Sequence, residues 1–292
     1  MTEHNMPGIR RVGIVGCGQM GAGIAEICAK AGLDVTVVVS RPASVAPGRQ
    51  RVRTSLDRAV AKGKLTADER DAALDAITLT TNLGDLADRQ FVIEAIREDE
   101  GAKVDLFARL DRIVEDPQAI LASNTSSIPI MRLGRSTSRA DRVIGVHFFS
   151  PVPVLPLVEL TGSLLTDDCV RDRAEHFVTT VLGKQVIRTE DRAGFVVNAL
   201  LIPYLLAAIR MVESRFASID VIDSGMRLGC SHPLGPLQLA DLIGLDVVAQ
   251  IAESLYDEFK EPLYAPPSLL VRMVEGGRLG RKTAQGFYAY AP

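Results

Sequence analysis

His147 and Glu159 are the residues whose types and spacing first suggest chemistry. They stand in VIGVHFFSPVPVLPLVEL, residues 143–160, where an apolar run ends at His147 and a second apolar run, beyond Pro151 and Pro153, carries the lone carboxylate Glu159. A chain reversal near Pro153 sets the two runs side by side, with both residues six positions from the turn and facing each other. A carboxylate that accepts the far ring N–H fixes the imidazole tautomer and stabilises its cation, as a general base near neutral pH requires. A core histidine satisfied by one acid fits the same residues, so this stretch alone leaves both readings open.

A second set of residues suits a phosphate. The apolar segment Arg11–Val15 runs into GCGQMG, with Gly16, Gly18 and Gly21 in a G-x-G-x-x-G pattern that encloses Gln19 and Met20. The first glycine permits a tight turn, the second lets the backbone approach a pyrophosphate, and the third lets helix pack on strand. The helix N-terminus then presents N–H groups to the anion. Met20, Ile24, Ile27, Cys28 and Ala31 recur at helical spacing, Gly32 ends the helix, and residues 35–39 form the next strand. That order within about 30 residues is the context that makes the fingerprint a dinucleotide site rather than a glycine-rich turn of an ordinary βαβ unit.

The elements that must position these residues follow the same rhythm. Strand-like runs at 91–94, 120–123, 143–147 and 185–188 alternate with amphipathic helices through Val104, Phe107, Leu110 and Val114 and through Val170, Ala174, Phe177 and Val181. The expectation is an α/β domain with a Rossmann-type doubly wound sheet over residues 1–190. Residues 49–76 are too long and too charged for a simple connection and read as two projecting helices joined around Gly63. Their basic residues, including Lys62, suit solvent or a phosphorylated substrate tail. Pro156 cannot donate to a ladder, so residues 154–160 are expected at a sheet edge or bent. From 191 to 292 the pattern is all helical, with helices at 194–211, 219–228 and 238–259 and shorter ones beyond Pro267. Within GFVVNALLIPYLLAAIRM, Asn198, Pro203, Tyr204 and Arg210 argue for a buried helix over a membrane span. A helix apolar on nearly every side suggests burial by a second subunit, hence a homodimer.

Composition narrows the functional classes. At 292 residues the chain suits about two domains, and 47% hydrophobic with 24% charged residues is ordinary for a globular protein. A net charge of −3 without long basic runs argues against nucleic-acid or acidic-membrane binding. Cys17, Cys28, Cys169 and Cys230 lack metal-ligand spacing and read as reduced packing residues of a cytoplasmic protein with no zinc site. The polar first eight residues have no signal-peptide core.

Six motifs in order carry a resemblance: GCGQMGAGIAE, LASNTSS at 121–127, HFFSPVPVLPLVEL, GFVVN at 194–198, HPLGPL at 232–237 and GRKTAQGFYAY. Over essentially its whole length the chain resembles the short-chain L-3-hydroxyacyl-CoA dehydrogenases, especially bacterial 3-hydroxybutyryl-CoA dehydrogenases. The resemblance implies interconversion of 3-hydroxyacyl and 3-oxoacyl thioesters with NAD or NADP. It implies His147 as base, Glu159 as its partner, and Ser126 and Asn198 as holders of the C3 oxygen. It places Glu98, Lys103 and Lys282 around the cofactor and Ser55 and Lys62 at the CoA moiety. Ser150 stands where the family usually has asparagine, beside the nicotinamide, while Ala199 and Pro156 replace a usual arginine and lysine; these departures leave acyl specificity open, and the shared phosphopantetheine arm leaves both CoA and carrier-protein thioesters as substrates.

The second strand also departs from the family pattern. Where an acid would hydrogen-bond the adenosine ribose and repel a 2′-phosphate, the strand ends at Val39, and Ser40 and Arg41 follow. Arg41 pairing with a 2′-phosphate and Ser40 donating to it lead to an expected tolerance of, or preference for, NADP(H). Two other identities fit the general pattern: a β-hydroxyacid dehydrogenase, which needs a catalytic lysine and lacks the HFF-x-PVP stretch, and a non-catalytic crystallin-like member of the fold.

Overall fold

The computed structural model describes residues 8–291, so the polar segment 1–7 lies outside it. The chain divides into two compact units, Met1–Asp191 and Arg192–Pro292. The first contains β1 (Arg11–Val15), α1 (Gln19–Lys30), β2 (Asp34–Val38), α2 (Val45–Ala61), α3 (Ala67–Asp75), β3 (Ile77–Thr80), β4 (Phe91–Glu94), α4 (Glu100–Ile113), β5 (Ile120–Ser123), α5 (Ile130–Gly134), β6 (Val143–Phe148), β7 (Leu157–Gly162), α6 (Asp168–His176) and β8 (Gln185–Glu190). These strands form one eight-stranded sheet in the order β3-β2-β1-β4-β5-β6-β7-β8. All neighbours are parallel except β6 and β7. Chain order reverses at β1, where β2 lies on one side and β4 on the other, and ligands bind such sheets outside the strand C-termini at this switch point.

Alternation along the strands explains the two covered faces. Val12 and Ile14 of β1 and Phe91 and Ile93 of β4 join one core with Ile24 of α1, Leu56 of α2 and Val170 of α6. Val15, Val38 and Val92 point the other way and pack with Phe107 and Leu110 of α4 and Leu133 of α5. Successive strand residues face opposite sides, so a sheet buried on both reads as a continuous apolar run.

Several expectations change. Residues 77–80, ITLT, form an edge strand that the sequence pattern did not reveal: it has only four residues and follows a helix without a turn signal. β7 is internal, between β6 and β8, because it begins after Pro156; the missing N–H therefore falls outside the ladder, and the Pro156 carbonyl still accepts from the Gln185 N–H at 2.9 Å. Residues 49–76 do fold as two helices, with Gly63 at φ +65° between them. Cys17 and Cys28 are buried, whereas Cys169 and Cys230 are exposed and do not serve packing.

The second unit is helical: α7 (Val197–Glu213), α8 (Ile219–Gly229), α9 (Pro236–Ile243), α10 (Leu245–Phe259) and α11 (Ser268–Glu275). The single helix expected over 238–259 is two, broken at Gly244, whose φ of +105° lies outside helical backbone. Among the described residues no helix is long and apolar enough to cross a membrane. Two buried aspartates hold the HPLGPL and GFYAY segments. Asp223 accepts from the N–H groups of Leu237 and Gln238 and from the Tyr288 hydroxyl, and Asp241 accepts from the N–H groups of Phe287 and Tyr288 and from the Tyr290 hydroxyl. Those motifs therefore have a structural role that their small and aromatic residues did not announce.

Candidate active site

The glycine loop closes as its spacing demands. Gly16 has φ +101°, and its N–H donates to the Val38 carbonyl at 2.8 Å, tying the turn to the end of β2. A Cβ on Gly21 would lie 1.9 Å from the Gly16 carbonyl oxygen, whereas nothing lies within 4 Å of one built on Gly18. The third glycine is thus needed for packing, and the second leaves open space where a pyrophosphate approaches. No acidic residue occupies the first turn of α1, so the N-terminal dipole is unopposed. Met20 packs against the sheet core. A cavity of about 830 Å³ adjoins the loop, with Val38, Leu83, Ile96 and Leu106 as apolar walls and Ser40, Ser44, Arg51, Arg97 and Arg109 among its polar ones. Its size and its place outside the C-termini of β1, β2 and β4 fit a dinucleotide.

His147 and Glu159 meet as the strand reversal requires. They are directly paired residues of antiparallel β6 and β7, and Nδ1 of His147 lies 2.8 Å from Oε2 of Glu159. Glu159 is completely buried and His147 only 7% exposed. Opposed residues project from the same sheet face with Cβ atoms about 5 Å apart, so the register alone sets the pair. The reversal is pinned by N–H groups of Val154 and Leu155 donating to the Pro151 carbonyl and by the Lys184 ammonium donating to the Val152 and Leu155 carbonyls. Gln19, first in α1, donates from Nε2 to the Ser150 hydroxyl at 2.8 Å, which joins the glycine loop to the end of the histidine strand. Phe149 lies against the His147 ring, 4.6 Å between centroids.

The NTSS loop at the end of β5 is organised by Glu98. Its Oε1 accepts from the Thr125 hydroxyl, from the Ser126 N–H at 3.1 Å and from the Ser127 hydroxyl at 3.4 Å, while Oε2 accepts from Lys103 at 2.6 Å. Asn124 Oδ1 accepts from the Phe148 N–H, fastening this loop beside the histidine strand. Lys103 is 1% exposed and also lies 3.1 Å from the fully buried Glu94, whose Oε2 accepts from Ser123 at 2.5 Å. Burial pushes the Glu94 carboxyl up, and the Lys103 charge with three hydrogen bonds only partly offsets it. For Glu98 burial is again the largest influence, but the Lys103 charge and the Lys103, Thr125 and Ser126 hydrogen bonds together hold it below the ordinary range. Lys103 thus bridges the two carboxylates, 2.6 Å from Glu98 and 3.1 Å from Glu94. Glu94 was missed in the sequence although it carries the same signal as Glu159, a lone acid in an apolar strand.

Residues 11–192 match the NAD-binding domain of the 3-hydroxyacyl-CoA dehydrogenases, and residues 194–290 match their C-terminal domain. The chain belongs to the 3-hydroxyacyl-CoA dehydrogenase family. It is 58% identical over 282 residues to the 3-hydroxybutyryl-CoA dehydrogenase of Mycobacterium tuberculosis, covering 97% of this chain and 99% of that one, and 42% identical to the Bradyrhizobium diazoefficiens enzyme of the same name over 97% and 96%. Among solved structures, M. tuberculosis FadB2 superposes with a TM-score of 0.96 at 58% identity, over 98% of this chain and all of that one. The (S)-3-hydroxybutyryl-CoA dehydrogenase PaaH1 of Ralstonia eutropha gives 0.91 at 47%, with the same coverage. The β-hydroxyacid dehydrogenase alternative is thereby set aside.

Within this family framework the remaining residues divide by location. Ser40 lines the cavity, but Arg41 is not among the described residues that do; it is exposed, with extended backbone at φ −157° and ψ 152°. Ser55 of α2 lies beside buried Glu26 of α1, and Lys62 is exposed at the C-terminal end of α2. In the second unit, Asn198 is buried near the start of α7, after a turn in which Gly194 has φ +75° and a Cβ would meet Leu255 at 2.8 Å. Lys282 pairs with Asp246 of α10 at 2.5 Å.

Proposed function

We propose that this enzyme interconverts L-3-hydroxyacyl and 3-oxoacyl thioesters of short acyl chains, with His147 as the acid–base group. The buried, register-determined His147–Glu159 pair carries the reading. With Nδ1 engaged by Glu159, proton exchange falls to Nε2, which takes the 3-hydroxyl proton in oxidation and returns it to the C3 oxygen in reduction. Glu159 stabilises the imidazolium formed. A bound nicotinamide supplies the hydride acceptor or donor. Ser126 and Asn198 are assigned to the C3 oxygen by their family motifs, and Glu98, Lys103, Ser150 and Lys282 to the cofactor. Ser55 and Lys62 are assigned to the pantetheine and nucleotide arm of CoA, an arm that a carrier protein partly shares.

The cofactor proposed is NADP(H) at least as readily as NAD(H), because β2 ends without a carboxylate and Ser40 follows into the cavity. The helical second domain is proposed to pair two subunits, since Val196 and Leu200 at and beyond the start of α7 and Val221 and Leu228 on α8 are 44%, 73%, 63% and 84% exposed. Cysteine usage favours a reducing compartment, and the cytoplasm is the proposed location. The test is reduction of acetoacetyl-CoA by NADPH and by NADH, with wild type and His147→Gln. Loss of kcat by at least about 100-fold is expected of the variant. Retention of more than a tenth of wild-type turnover would remove His147 as the base.

A further inference from the structure

The cavity beside the glycine loop holds three arginines, Arg51, Arg97 and Arg109, against one carboxylate, Asp105. Of the three, Arg51 is bonded to the loop itself: its Nη1 donates to the Cys17 carbonyl at 3.1 Å. Cys17 lies between Gly16 and Gly18, and Gly16 is bonded to Val38 at the end of β2. The guanidinium, the middle of the glycine turn and the end of the second strand therefore form one corner. In a dinucleotide fold the adenosine ribose lies at this corner, and a cation there accommodates a 2′-phosphate.

A close approach fixes the direction of Arg51. Gly48, one helical turn earlier on α2, sits so near the loop that a Cβ would lie 2.9 Å from Cys17 Sγ and 3.1 Å from Leu79. Helix α2 is thereby seated on the turn, and residues three apart on a helix share a face. Ser44 lines the same wall at the N-cap of α2, yet its hydroxyl makes no capping bond. Arg41, by contrast, follows β2 directly but starts a short 3₁₀ turn at Pro42–Ser44 that leaves it outside the cavity.

We propose that Arg51, with Ser40 and Ser44, is the 2′-phosphate receptor that sets cofactor choice, so that the selective charge resides on helix α2 and not on Arg41 in the loop after the second strand. This rests on the NADP(H) reading above. One guanidinium edge holds the loop carbonyl and the rest forms charge-assisted bonds to the dianionic phosphate. Because the side chain is partly solvated, salt weakens the effect.

Calorimetric binding of 2′,5′-ADP and of ADP to the full chain tests the assignment without turnover, alongside the ratio of kcat/KM for NADPH to that for NADH. Wild type is expected to bind 2′,5′-ADP at least about tenfold more tightly than ADP. Arg51→Gln removes the charge while keeping a polar amide, and should lower both ratios by about tenfold; Arg51→Lys, which keeps the charge, should retain part of each. A wild type that favours ADP and NADH would overturn the NADP(H) reading and this assignment together. A wild type that favours the 2′-phosphate while Arg51→Gln does too, or an Arg41→Ala variant that loses the preference instead, would overturn Arg51 alone.

Discussion

Glu159→Gln is the most searching perturbation of the site, because it preserves size and removes only the charge. The carboxylate is fully buried and 2.8 Å from Nδ1 of His147. When His147 takes the substrate proton, an imidazolium forms beside that carboxylate. At an effective dielectric near 20, opposite charges about 4 Å apart attract by ~4 kcal/mol, which bounds the effect from above. Hydrogen bonds to charged groups exceed neutral ones by about 1–1.5 kcal/mol, which bounds it from below. The expected loss in kcat is therefore roughly 10- to 1000-fold. An amide can also present N–H to Nδ1 and move the ring proton to Nε2, which pushes the loss toward the upper bound. The assay is acetoacetyl-CoA reduction followed by nicotinamide absorbance at saturating cofactor, with melting temperature and ADP affinity as controls for folding and cofactor binding. A folded variant that keeps more than half of wild-type kcat would refute the role given to Glu159.

Three further outcomes follow from the geometry. Gly21→Ala should destabilise the first domain by more than ~1–3 kcal/mol and weaken cofactor binding, because its Cβ would sit 1.9 Å from a backbone oxygen; a variant that melts like wild type would show that the turn can move aside. Glu26→Gln should stabilise the protein at neutral pH by on the order of 1 kcal/mol, since Glu26 is buried, its Oε2 lacks a hydrogen-bond partner among the described residues, and burial pushes its carboxyl up. The folded state then holds that proton more tightly than the unfolded one, so the residue subtracts stability as pH rises above about 4.3. The gain should fade on acidification below that pH, and a gain independent of pH would contradict the cause. Light scattering should show a dimer that Leu200→Asp weakens, whereas a stable wild-type monomer at micromolar concentration would contradict burial of the exposed apolar faces of α7 and α8 by a second copy.

Local rules determined much of this protein. The fingerprint Gly16, Gly18 and Gly21 names a backbone shape that few other residues can adopt, and apolar runs on a doubly covered sheet need no partner to be recognised. Even the His147–Glu159 contact was legible, because two runs of equal length about a proline-marked turn have one simple register. What escaped were features decided by neighbours distant in the chain. The four-residue strand ITLT is a strand because β2 lies beside it, and β7 is internal because β8 returns from residue 185 to cover its far side. Glu94 takes its partners, Lys103 and Ser123, from a following helix and the adjacent strand. Arg51, ten residues beyond the loop where an arginine was expected, reaches the glycine turn only because Gly48 lets α2 settle against Cys17. Sequence periodicity reports which face of an element is buried, but a side chain's partner depends on how elements pack, and that is decided by close approaches between residues with no fixed separation along the chain.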